Sequence, residues 1–262
     1  MISQTQGGYR MSTISKLAAV VWVLATFLLV VFPQLGIDPQ FRLYYSNALQ
    51  TLSSLISAFL CFSAMSAFPD QSPLRKVWGA IGAGVLAWGI GATIFAAYPL
   101  LNGGADTPYP YYSDIGYLLT GPFIIAGLVI FKRSLGLESP LWGKALALAL
   151  LAVSGFFAYK ANWEGVLDPN MAMKATAIGY LIFDPVLLAV TVITASSFRG
   201  GEVGKAWWYV VIGILLYFIA NQAYTYLVGT GEYVTGHPVD IGWMLGFGFI
   251  AWAAVKTRNL MN

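Results

Sequence analysis

The chain has 262 residues, 58% of them hydrophobic and 10% charged, with 14 Lys and Arg against 11 Asp and Glu. A water-soluble domain carries roughly 25% charged residues, so this composition excludes a surface bathed mainly in water. A single cysteine, Cys61, and a single histidine, His237, exclude an internal disulfide, a bis-histidine haem and a His/Cys metal cluster.

The apolar runs are continuous over about 20 residues rather than alternating over about 10, which selects membrane helices over barrel strands. Residues 1–16 are polar and read as a cytoplasmic N-terminal segment. The first run follows Arg10 and Lys16; it is long for a signal-peptide core and lacks a small-x-small cleavage site, so it reads as a retained helix. Eight spans are predicted, over 17–36, 46–68, 77–101, 111–131, 141–160, 172–198, 206–228 and 239–256. Pro33, Pro39, Pro69, Pro73, Pro108, Pro110, Pro140, Pro169, Gly200, Gly201 and Pro238 punctuate the joints, where they disfavour helix continuation.

Basic residues set the orientation. With the N-terminus inside, the inner segments hold Arg10, Lys16, Arg75, Lys76, Lys132, Arg133, Lys144, Arg199, Lys205, Lys256 and Arg258, and the outer segments only Arg42, Lys160 and Lys174. This asymmetry predicts both termini in the cytoplasm and a multi-pass protein of the cell membrane. A miscount of one helix would scramble it. The loops are too short to house a soluble catalytic or nucleic-acid-binding domain, so any chemistry belongs within or beside the helices, and no nucleic-acid partner is expected.

An internal repeat is expected. Tyr112-Ser-Asp-Ile-Gly-Tyr-Leu-Leu at the start of the fourth span matches Pro238-Val-Asp-Ile-Gly-Trp-Met-Leu at the start of the eighth. Lys76-Val-Trp78 precedes the third helix as Lys205-Ala-Trp-Trp208 precedes the seventh, pairing Trp78 with Trp208. The second and sixth spans end Ser66-Ala-Phe and Ser196-Ser-Phe. The predicted fold is therefore an all-α polytopic membrane bundle of two parallel four-helix repeats, 17–133 and 134–262, related by a pseudo-two-fold along the membrane normal.

Asp184 is the sharpest functional signal. It lies about 12 residues into the sixth span, roughly 15–18 Å deep, where a charge costs about 2.5–3.5 kcal/mol. Such an acid should face the bundle interior with a partner or be protonated, and Pro185 beside it favours a kink. Tyr217, Asn221 and Tyr224 follow i, i+4, i+7 spacing and share a helix face, so with Tyr180 they form the expected polar cluster, against the plainer reading of interhelical hydrogen bonding. Asn47, Gln50, Ser54 and Ser57 make a polar stripe that serves close packing or lines the first repeat's counterpart of the site; Ser54 is the ligand-binding candidate carried from it. Asp114 and Asp240 stand at helix starts, where they would accept first-turn amides or flank the outer mouth of a cavity. Tyr111, Tyr112, Tyr117 and Trp243 read as interfacial anchors. The lysines lie near span ends, which disfavours a retinal Schiff base, and no cofactor is identified.

The segments Pro108 to Leu119, and Ala220-Asn-Gln-Ala-Tyr224 through Pro238-Val-Asp-Ile-Gly-Trp243, resemble multi-pass sensor regions that precede prokaryotic diguanylate cyclase, phosphodiesterase or histidine kinase domains. The resemblance implies a signal-input module. No output domain follows Arg258 in this sequence, so a cytoplasmic partner or a second copy would supply the output. The expectation is a membrane sensor or ligand-binding module, embedded in lipid, with a small lipophilic ligand. The alternatives are a proton-coupled transporter acting through Asp184 and an intramembrane lipid-modifying enzyme acting through Asp114 and Asp240.

Overall fold

A computed structural model describes residues 12–136, 138–198 and 201–261; Arg10, Arg199 and Gly200, used above for topology and punctuation, lie outside the described residues, as does most of the segment 1–16. Among the described residues there is no strand. The elements are α1 (Thr13–Gln34), α2 (Pro39–Met65), α3 (Pro73–Leu101), α4 (Ser113–Ser134), α5 (Leu141–Leu167), α6 (Met171–Ala195), α7 (Gly201–Thr230), a 3-10 turn (Pro238–Asp240) and α8 (Ile241–Met261). All eight helices are long and apolar enough to cross a membrane.

Each predicted span overlaps one of these helices, with ends shifted by up to seven residues. α2 starts seven residues early (39 against 46) because the Asp38 side chain accepts the Phe41 amide and Pro39 occupies the first turn, where its missing N–H costs nothing. α5 runs on to Leu167 because Lys160 and Glu164 are good helix formers that need only reach water. Asp240 belongs to the 3-10 turn ahead of α8 rather than to its first turn. Pro99, Pro122 and Pro185 sit within uninterrupted helices.

The packing is built on two hairpins, α3 against α4 and α7 against α8, joined by α2, which packs on α3 and α8, and α6, which packs on α4, α5 and α7. Val85, Ile124 and Leu128 meet Val210, Ile214 and Ile250 in one hydrophobic core. Glycines set the crossings. A Cβ on Gly116 would collide with the Ala87 carbonyl and the Gly91 backbone, and one on Gly213 with the Gly246 carbonyl. At the end of the bundle that carries the termini, Trp78 and Trp207 lie 5.3 Å apart and Phe131 and Trp207 3.8 Å apart, centroid to centroid. All three rings are buried, and a recess of about 500 Å³ lies beside them, lined by Lys132, Arg133 and Glu138 and by Val190, Ile193 and Thr194 of α6. Trp208, the residue paired with Trp78 by sequence, is 44% exposed.

α1 and α5 leave long apolar faces uncovered, including Leu17, Val20 and Leu24 on α1 and Leu148, Phe156 and Phe157 on α5. Continuous exposed apolar faces of this kind are costly in water and ordinary in lipid.

Candidate functional site

The end of the bundle opposite the termini is hollow. A cavity of about 390 Å³ opens between the α3–α4 and α7–α8 connections and reaches inward to Asp184. Asp184 lies 13 residues after Met171 and 11 before Ala195, halfway along α6 (184 − 171 and 195 − 184). Residues from α2 through α8 contribute to the wall.

Helical periodicity explains the floor. Tyr180 and Asp184 are one turn apart on α6; Tyr217, Asn221 and Tyr224 share a face of α7. All five line the cavity. Asp184 is only 8% exposed. Its one hydrogen-bond donor among the described residues is the Asn221 amide nitrogen, 3.3 Å from one carboxyl oxygen and 3.2 Å from the other. The Trp243 indole N–H donates to the Asn221 amide oxygen at 2.6 Å, which fixes the amide with its NH2 toward Asp184.

Asp114 lines the cavity nearer the mouth. It accepts the Tyr180 hydroxyl at 2.9 Å and the Tyr111 amide at 2.8 Å. Asp240 is 0% exposed and lies behind the wall. It accepts the Ser46 hydroxyl at 2.6 Å, the Tyr233 hydroxyl at 3.0 Å and the Gly236 amide at 2.9 Å. The sequence expectation placed both acids on the free amides of the following helix. Each instead reaches back, to an amide three or four residues upstream, as the acid of a capping box does. Asp240 touches the cavity only through neighbours. Tyr233 lines it directly, and Gln50, also in the wall, donates to Ser46 at 2.9 Å.

Ser54 does not reach the cavity. It is fully buried, and its hydroxyl donates to the Gln50 and Thr51 carbonyls, both at 2.9 Å. A mid-helix serine that bonds back to its own helix has no proton left for a ligand. Of the α2 stripe, Gln50 alone is in the wall.

Several wall residues carry no sequence signal. Trp88 and Phe95 come from an α3 whose apolar character is unbroken, and Asp106, Tyr109 and Tyr233 come from the connections. Tyr117 and Trp243, expected as interfacial anchors, instead line the cavity, with Trp88 packed between them at 5.1 Å and 6.3 Å. Tyr233 has its pKa pushed well above the ordinary phenol value, first by burial and then by the negative Asp240 it bonds, so it stays a hydrogen-bond donor. His237 lies outside the wall. Its Nδ1 accepts the Val239 amide at 3.1 Å, and burial lowers its pKa, so it is neutral at pH 7.

No Lys, Arg, His or Cys is among the described lining residues, and no group of three His, Cys, Asp or Glu that could hold a metal occurs among the described residues. The cavity offers carboxylate, phenol and amide groups set among aromatic rings. Comparison with family models, with curated proteins and with solved structures yields no match.

Proposed function

We propose that this chain is a membrane ligand-binding module of the sensor type, with the Asp184 cavity as its site. The observation that carries the reading is a hollow of about 390 Å³ that runs from the connecting loops to a buried carboxyl group in mid-helix. A volume of this size, apolar walls and a few convergent polar groups are the features of a small-molecule site. At the opposite end Trp78, Phe131 and Trp207 form a buried aromatic cluster, beside a separate recess between the ends of α4 and α6. A transporter would have to part that cluster to join the two openings; a sensor needs only to shift the helices that meet there.

We read the chain as two copies of a four-helix unit, and glycine contacts support that reading. They recur in register. Gly84 meets Thr120 and Ile124 as Gly213 meets Gly246 and Ile250, and Gly116 meets Ala87 and Gly91 as Gly242 meets Leu216 and Ala220. The α3 and α7 members are separated by a constant 129 residues (84 to 213, 87 to 216, 91 to 220) and the α4 and α8 members by 126 (116 to 242, 120 to 246, 124 to 250). In this register Trp78 corresponds to Trp207 rather than Trp208. Trp88 corresponds to Tyr217, Phe95 to Tyr224 and Tyr117 to Trp243, and all six line the cavity. With the chain read as two such repeats, the hollow falls between the halves, where a ligand would bias their relative position. The excess of Lys and Arg toward the end where α1 begins and α8 ends supports a mouth outside the cell and the aromatic cluster at the cytoplasmic side, within reach of a cytoplasmic partner or a second copy.

Thermal unfolding of the protein in lipid nanodiscs tests the reading with three compounds of similar shape: benzyltrimethylammonium, neutral neopentylbenzene and anionic benzenesulfonate. At least one should raise the unfolding temperature in a saturable way, since a ligand that binds only the folded state stabilises it by about 2.7 kcal/mol at 100 times its Kd. Thr225→Trp, which fills the cavity from α7, should abolish the shift. No stabilisation by any of the three, or an equal shift in Thr225→Trp, would overturn the proposal.

A further inference from the structure

We propose that the ligand of this cavity is an organic cation, an ammonium-type group carried on an apolar body. The inference rests on the reading of the cavity as a ligand site and adds the charge class of its occupant.

The wall contains three carboxyl groups, from Asp106, Asp114 and Asp184, and no basic side chain among the described lining residues. The two deeper acids are not equivalent. Asp114 is supplied with a phenol O–H and a backbone N–H. Asp184 shares one amide nitrogen between both oxygens at 3.2–3.3 Å, and that amide cannot turn because Trp243 holds its oxygen. A carboxylate has about four acceptor positions, and one buried away from water needs a counter-charge or a proton. Among the described residues only Asn221 donates to them, and the described wall holds no cation.

The remaining wall fits the same chemistry. Trp88, Tyr117, Tyr217, Tyr224 and Trp243 surround the hollow with aromatic rings. Such rings attract cations through their negative faces, most strongly for Trp and in desolvated sites, and cages of them recognise quaternary ammonium groups. A hard metal ion is a poor match, since it needs about six oxygen ligands and the surroundings of Asp184 are mainly carbon. An anionic ligand would meet three carboxyl groups and no compensating charge.

Equilibrium binding of radiolabelled benzyltrimethylammonium to the nanodisc protein, at fixed ionic strength, tests the inference. Neopentylbenzene replaces the nitrogen by carbon with the same shape, and benzenesulfonate reverses the charge. The cation should bind at least about tenfold more tightly than the neutral compound, a cation–π and charge-pairing difference of ordinary size, and benzenesulfonate should not compete. Asp184→Asn keeps the hydrogen bond to Asn221 and should lower cation affinity by about tenfold or more, and a far-UV circular dichroism spectrum matching that of the unaltered protein separates lost charge from lost fold. If the neutral compound binds as tightly as the cation, or Asp184→Asn leaves cation affinity intact, the charge assignment fails and the ligand-binding reading stands. If no compound of the three binds, both fail.

Discussion

Asp240→Ala should lower the unfolding free energy of the protein in detergent by about 2–4 kcal/mol, because it leaves buried donors without an acceptor. Three donors converge on this one carboxylate, from α2 (Ser46), from the α7–α8 connection (Tyr233) and from the backbone of Gly236. Gly236 has φ +91°, and a Cβ there would press on the Arg42 backbone, so the turn is held tightly against α2. Truncation would free Tyr233 from its anchor and loosen the mouth of the cavity. Asp38→Ala serves as the comparison: Asp38 caps α2 by a single exposed bond, and its loss should cost about 1 kcal/mol. Denaturation followed by far-UV circular dichroism would measure both. Equal losses in the two variants would show that Asp240 does not hold the connection in place.

Gly116→Val should destabilise by about 3 kcal/mol, the upper end of overpacking. The atoms that a side chain would strike are the Ala87 carbonyl and the Gly91 backbone. Backbone cannot swing aside as a flexible side chain can, so α3 and α4 must separate along their crossing. The same change should weaken ligand-induced stabilisation, because α3 contributes Trp88 and α4 contributes Tyr117 to the wall. Gly155→Ala is the opposite case. Nothing lies within 4 Å of a Cβ at that position, and the gain in helix propensity should stabilise by about 0.5–1 kcal/mol. The contrast reads packing separately from backbone propensity on the same instrument.

Helix number and most of the floor of the cavity are legible in the sequence for one reason: both depend on local periodicity. An apolar run of about 20 residues has one solution in lipid, and residues spaced by three or four share a helix face whatever the tertiary fold. Tyr217 and Asn221 therefore share a face as their spacing implies, and the packing of α6 on α7 brings Asp184 to them. What periodicity does not give is azimuth. Tyr117 and Trp243 stand where membrane-anchoring aromatics usually stand, and only the rotation of α4 and α8 about their axes decides that they turn inward. The same ambiguity hides Trp88, whose helix is apolar on every side. Ser54 shows the converse: its place on a polar stripe looks like an inward-facing group, yet its hydroxyl is used up on its own helix. Tyr109 and Tyr233 are set by the course of the connections, which no repeat pattern encodes.

Open volume extends from the loops down to mid-α6, and water should reach it. In a Cys61→Ala background, Asp184→Cys should react with the membrane-impermeant reagent 2-(trimethylammonium)ethyl methanethiosulfonate added from the loop side. Leu188→Cys, one turn further along the same helix and outside the cavity wall, should stay unreacted. Labelling at 184 with protection at 188 is the result this structure predicts; a position 184 as inert as position 188 would contradict it.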